Sequence, residues 1–143
     1  MSELEDLART VFTAIDARDF DRLEELVAPD CDVQVPGFRG SGPGAFIAWI
    51  QPFLAAFPDI RHTRGALAET GDILAFEMEV AGTHTGPLRT PAGEVPATGR
   101  RLDLRVANVW RTDGTRITAY HVYFDQLEFL GQLGLLPEPA TTA

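Results

Sequence analysis

An α+β fold is predicted by three observations. Helical periodicity dominates the chain as far as Phe57. From Asp59 onward the pattern changes to strand-like alternation, broken by Gly-Asp and Asp-Gly turns. Three successive strands then carry one apolar face each, so a curved antiparallel sheet with helices over one face is expected.

The elements follow in order. Ser2 and Glu5 fit a capping box ahead of a helix whose Leu4, Leu7, Ala8, Val11, Phe12 and Ile15 share one face. Asp19 suits the cap of a second helix with Phe20, Leu23, Leu26 and Val27, ended by Pro29. C-D-V-Q-V reads as a short strand stopped by Pro36-Gly37. Ser41, Gly42 and Pro43 open a third helix with Phe46, Trp49, Ile50, Phe53 and Phe57 as its aromatic face, kinked at Pro52. Strands are expected over 59–70, 73–84 and 100–111. Phe76, Met78, Val80, Gly82 and His84 share a face of the second, and Leu102, Leu104, Val106, Asn108 and Trp110 a face of the third. The intervening segment 85–99, rich in Pro and Gly, reads as a long functional loop that moves on binding.

The last run, 115–135, starts as a strand and ends as a short helix with Leu127, Leu130 and Leu133. Strand parity places Ile117, Ala119, His121, Tyr123 and Asp125 on the core face, and Thr118, Tyr120, Val122 and Phe124 on the other. Asp125 then has two readings. It is a plain helix N-cap, or a buried carboxylate of raised pKa acting as a base. A few polar groups on an apolar concavity, His84, Asn108, His121, Tyr123 and Asp125, describe a small-ligand pocket.

Composition narrows the classes. The chain has 143 residues, 45% hydrophobic and 23% charged, which suits one globular domain over 1–136 with a flexible tail, 137–143. The net charge of −9 argues against nucleic acid or an anionic membrane as partner. No apolar run reaches the ~20 residues of a membrane span, and M-S-E-L-E-D-L lacks signal-peptide character, so a soluble cytoplasmic protein is expected. Cys31 is alone, and all twelve basic residues are Arg, which excludes lysine Schiff-base chemistry.

G-T-H-T-G at 82–86, P-A-T-G-R at 96–100, V-W-R at 109–111 with D-G at 113–114, F-P-D at 57–59 and F-D-x-L-x-x-L-x-Q-L-G-L at 124–135 together resemble the SnoaL-like polyketide cyclases. The resemblance implies the cone of the nuclear transport factor 2-like superfamily, a strongly bent sheet wrapped by helices around an internal pocket. It implies intramolecular aldol ring closure of a polyketide ester without cofactor or metal. It places the acid/base role on Asp125 and a pocket histidine at His84. Relatives that hydroxylate, isomerise or dehydrate, or that only bind, keep other tailoring roles open.

A carboxylate raised above ~3.9 by burial suits removal of a proton between an ester and a ketone. His84, Asn108, His121 and Tyr123 are candidate donors to the substrate oxygens. Trp49, Phe53, Met78 and Trp110, with Phe46, Ile50 and Leu104, are expected among the apolar walls. A metal trio of His84, His121 and Asp125 is weighed against this, as is a dyad with Asp32 or Asp59. By the same parity Ala81, Ala107, Val109, Tyr120, Val122 and Phe124 form an outer apolar stripe, which predicts a homodimer through the convex sheet face.

Overall fold

The structure, a computed structural model, describes residues 2–136. The sequence-based expectation of a tail at 137–143 lies outside the described residues. The element order is α1 (Glu3–Asp16), α2 (Phe20–Leu26), β1 (Val27–Val35), β2 (Phe38–Ser41), α3 (Gly42–Ala56), β3 (Arg61–Thr70), β4 (Ile73–Thr83), β5 (Leu88–Thr90), β6 (Gly93–Val95), β7 (Arg101–Thr112), β8 (Ile117–Tyr123) and α4 (Gln126–Gln132). Six strands form one strongly curved sheet in the order β2-β1-β8-β7-β4-β3, and β5 and β6 make a separate hairpin.

The helices start where their caps predict. Ser2 Oγ accepts from the Glu5 N–H at 3.1 Å, and Asp19 Oδ1 accepts from the Arg22 N–H at 3.1 Å. Helix α3 runs on through Pro52. Its apolar side buries Phe46, Ile50 and Leu54 against the sheet. Along β4 and β7 the expected parity holds, with Leu74, Phe76, Met78, Leu102, Leu104, Val106 and Trp110 all buried.

Three features depart from the expectation. β1 pairs with β8 in parallel, so the sheet is mixed rather than wholly antiparallel. The segment 85–99 contains the β5–β6 hairpin and is tied down at both ends. The Gly86 N–H donates to the Ala56 carbonyl at 3.1 Å, and the Gly99 N–H donates to the His84 carbonyl at 2.8 Å. Gly86 lies so close to α3 that an added Cβ would stand 2.0 Å from the Ala55 carbonyl oxygen, which only glycine avoids.

The third departure is a bulge in β8. Arg111 pairs with Ala119 but Thr112 pairs with Ile117, so Thr118 is an extra residue in the ladder. Ile117 faces inward as expected, but the bulge reverses every side chain after it. Tyr120 and Val122 are buried inside, together with the ring of Phe124 that packs on the core. His121, Tyr123 and Asp125 are turned to the outer side. The outer stripe therefore loses Tyr120, Val122 and Phe124, and keeps Ala81, Ala107 and Val109 beside Tyr123, which is 55% exposed.

Candidate functional site

The concave sheet face and helices α1 and α3 enclose a narrow cavity of about 70 Å³. Its walls are apolar, with Trp49, Phe53, Met78, Leu104 and Val122 among them. Among the described residues the polar side chains His62, Asn108 and Tyr120 reach it.

His62 is on β3, paired with Val80 of β4, and so shares the inner face. Its Nδ1 is 3.2 Å from Oδ1 of Asp16, the last residue of α1. The imidazole is 6% exposed and the carboxylate 53%, so the pair joins the interior to the surface. The Phe12 ring packs on the imidazole at 5.3 Å. Burial pushes the His62 pKa below its ordinary 6.5, against the opposing pull of Asp16, and Arg18 adds to the lowering. A carboxylate only accepts hydrogen bonds, so Nδ1 carries the hydrogen and Nε2 holds the lone pair. The geometry gives an oriented, neutral imidazole at a cavity wall.

Asn108 supplies a donor. The indole N–H of Trp110 can only donate, and it stands 3.2 Å from Asn108 Oδ1, which fixes the amide orientation. The Asn108 Nδ2 group is buried and has no partner among the described residues. An orphan donor in an apolar cavity is costly unless a ligand or water meets it. Tyr120 is fully buried, and desolvation raises its pKa, so its phenol stays protonated.

The sequence-predicted site residues divide into three groups. Trp49, Phe53, Met78 and Asn108 line the cavity. Trp110 lies in the core behind it, packed on Phe12, Phe76 and Tyr120. His84, His121, Tyr123 and Asp125 are not brought to the cavity, and their expected placement is corrected.

His84 is 0% exposed and ties segments together. Its Nδ1 accepts from the Thr98 N–H at 3.2 Å, with the Thr98 hydroxyl at 2.9 Å, and its ring packs on Phe57 at 5.4 Å. Nδ1 as acceptor fixes the neutral form, and burial lowers the pKa, partly offset by the Gly86 carbonyl. His121 Nε2 is 3.0 Å from Asp32 Oδ2 on the outer face, and Asp32 also accepts from Gln34 at 2.9 Å. Asp125 is exposed and caps α4, accepting the N–H groups of Leu127 at 2.9 Å and Glu128 at 3.2 Å. Losing that cap in Asp125→Ala is expected to cost about 1 kcal/mol of stability, read as a lower urea midpoint at constant slope. Asp59 likewise is a scaffold group. Its Oδ1 accepts the Thr83 N–H at 2.8 Å, which lowers its pKa first of all. Among the described residues no group of three His, Cys, Asp or Glu side chains is arranged to hold a metal ion.

His62 and Asp16 are absent from the sequence reading. The strand R-H-T-R-G-A-L-A-E-T is an exposed edge without apolar alternation, and a shift between Arg64 and Leu67 hides its parity. The usable signal was the pairing of His62 with Val80 across the Gly71-Asp72 turn.

Residues 8–120 match the SnoaL-like domain. The chain belongs to that family. Solved structures agree with the fold. IdmH from Streptomyces antibioticus, described as a candidate polyketide cyclase, is 27% identical with a TM-score of 0.75, covering 91% of this chain and 97% of its own. A candidate SnoaL-like polyketide cyclase from Jannaschia sp. CCS1 is 16% identical with a TM-score of 0.81, covering 94% of each chain. AclR from Streptomyces galilaeus, a candidate hydroxylase, is 20% identical with a TM-score of 0.76, covering 94% of this chain and 86% of its own. The last two identities speak to fold alone. No curated protein matches the chain. The SnoaL-like fold thus keeps its cone here, while His62, Asn108 and Tyr120 are the polar side chains lining its cavity among the described residues.

Proposed function

We propose that this SnoaL-like protein takes a flat, largely apolar polyketide-type molecule and moves a proton from one of its activated carbons, with His62 as general base. The observation that carries the reading is the 3.2 Å contact of His62 Nδ1 with Asp16 at the wall of a largely apolar cavity. The SnoaL-like family and the 27%-identical polyketide cyclase candidate support a polyketide-related role.

The finer reaction is intramolecular aldol closure. Nε2 of His62 removes a proton from a carbon between two carbonyl groups. The electron pair delocalises onto a carbonyl oxygen, where the free Asn108 N–H donates to it. The carbon then attacks a second carbonyl of the same molecule, forming the C–C bond. The imidazolium returns its proton to the new alkoxide, so no external co-reactant is consumed. Asp16 stabilises the transient imidazolium and holds the tautomer.

A second reading, binding or another tailoring step without ring closure, is favoured by one observation. Asp125, where the resemblance placed the acid/base group, is exposed and occupied as a helix cap. A homodimer through the outer sheet face remains part of the proposal, now centred on Tyr123 rather than Tyr120, Val122 and Phe124.

The pH dependence tests the base. A lowered His62 pKa means the active, neutral form is present above that pKa and lost as pH falls through it. The rate at limiting substrate should therefore rise with pH to a plateau, with its midpoint below 6.5. A rate that keeps climbing to pH 9 would assign the proton to another group.

A further inference from the structure

Four aromatic rings close a circuit between α3 and the segment joining β8 to α4. Ring centroids are 4.7 Å apart for Trp49 and Phe53, 5.7 Å for Phe53 and Phe129, 6.0 Å for Phe129 and Phe124, and 6.1 Å for Phe124 and Trp49. All four rings line the inner cavity. All four also line a second chamber of about 370 Å³, bounded by α3, the turn after β1, β5 and the start of α4. The circuit is a shared partition between two chambers.

Size makes the outer chamber necessary. Pockets that bury a drug-sized ligand measure roughly 300–1,000 Å³. The inner cavity at about 70 Å³ holds only the reacting end of such a molecule, while the outer chamber falls within the range. Its walls are mostly Pro, Phe, Leu and Trp, which suit a flat ring system. Among the described residues Arg89 is the one ionisable side chain lining it. Arg89 is exposed, and it forms no ion pair among the described residues. Glu94 is its cross-strand neighbour, and both side chains line an adjacent groove, without an ion pair between them among the described residues. In a chain of net charge −9, an unpaired guanidinium at the rim of an apolar chamber selects an anion. Gln126 adds an amide on the same wall.

We propose that the outer chamber is a ligand subsite for the body of a planar aromatic molecule bearing a carboxylate. Arg89 anchors the carboxylate, and the opposite end passes between the four rings towards His62. The inference rests on the cavity reading above and adds the substrate class to it. A guanidinium pairs with a carboxylate through two parallel hydrogen bonds, which orients the ligand as well as holding it.

Calorimetric titration with anthraquinone-2-carboxylate and with neutral 2-methylanthraquinone tests this. The wild type should bind the acid at least tenfold more tightly. Arg89→Ala should bring the two affinities together, with its circular dichroism melt unchanged. Ala48→Trp, which places bulk in the outer chamber from an exposed position of α3, should weaken both probes at least tenfold. His62→Gln should keep the preference, so failure of the base assignment leaves this pattern intact. Equal affinities in the wild type, no binding of either probe, or an unchanged preference in Arg89→Ala would overturn the subsite.

Discussion

Replacing His62 with glutamine is expected to lower the rate of proton abstraction by roughly 10²–10⁴-fold, the usual contribution of a general base. Glutamine keeps similar bulk and can still donate to Asp16, so the melting temperature should hardly move. The loss should fall on kcat, with ligand affinity retained. Asp16→Asn separates positioning from proton transfer. The Asp16 charge pulls the His62 pKa up against burial. Its removal should shift the rate midpoint to lower pH and reduce the plateau less than His62→Gln does. A midpoint that moves upward in Asp16→Asn would contradict the pairing.

Trp110→Ala should have the largest effect on stability, about 3–5 kcal/mol. The indole is fully buried and packs on Phe12 at 5.6 Å, Phe76 at 5.1 Å and Tyr120 at 5.5 Å. It thereby joins α1, β4, β7 and β8 in one cluster. Truncation leaves a cavity among three rings and takes the donor from Asn108 Oδ1. Trp110→Phe keeps a ring but not the N–H, and should cost less. Urea denaturation gives the comparison. A loss below about 1 kcal/mol in Trp110→Ala would mean that the site collapses around the gap.

Much of the fold was legible because local rules and burial agree. The caps at Ser2 and Asp19 act as their residue types suggest, and β4 and β7 alternate without interruption across their paired lengths. The site was less legible for a specific reason. Parity was carried from Ile117 along β8, and one extra residue at Thr118 exchanged the two faces. Tyr120, Val122 and Phe124 entered the interior, and His121, Tyr123 and Asp125 left it. A bulge has no sequence signature here, since Thr118 is an ordinary strand residue. The parallel pairing of β1 with β8 was equally hidden, because strands about ninety residues apart in the chain carry no local sign of their partnership.

The motifs that carry the family resemblance are mostly scaffold. Phe57 packs on His84, Asp59 binds the Thr83 N–H, Gly86 lies against α3, and Thr98 and Gly99 bind His84. These contacts lock α3, the end of β4 and the start of β7 together. Such residues identify the cone because the cone needs them. The proposed base, His62, stands on an edge strand whose neighbours give it no pattern to stand out from.

The base proposed inside the cone is His62 and not Asp125. Deuterium uptake from D₂O into the activated carbon of an aromatic 1,3-diketone ligand measures that step without requiring ring closure. Wild type, His62→Gln and Asp125→Asn should be compared at equal occupancy, since asparagine still caps α4. Exchange is expected in the wild type and in Asp125→Asn at similar rates, with a loss of at least about a hundredfold in His62→Gln. Exchange that survives in His62→Gln and disappears in Asp125→Asn would contradict the assignment to His62.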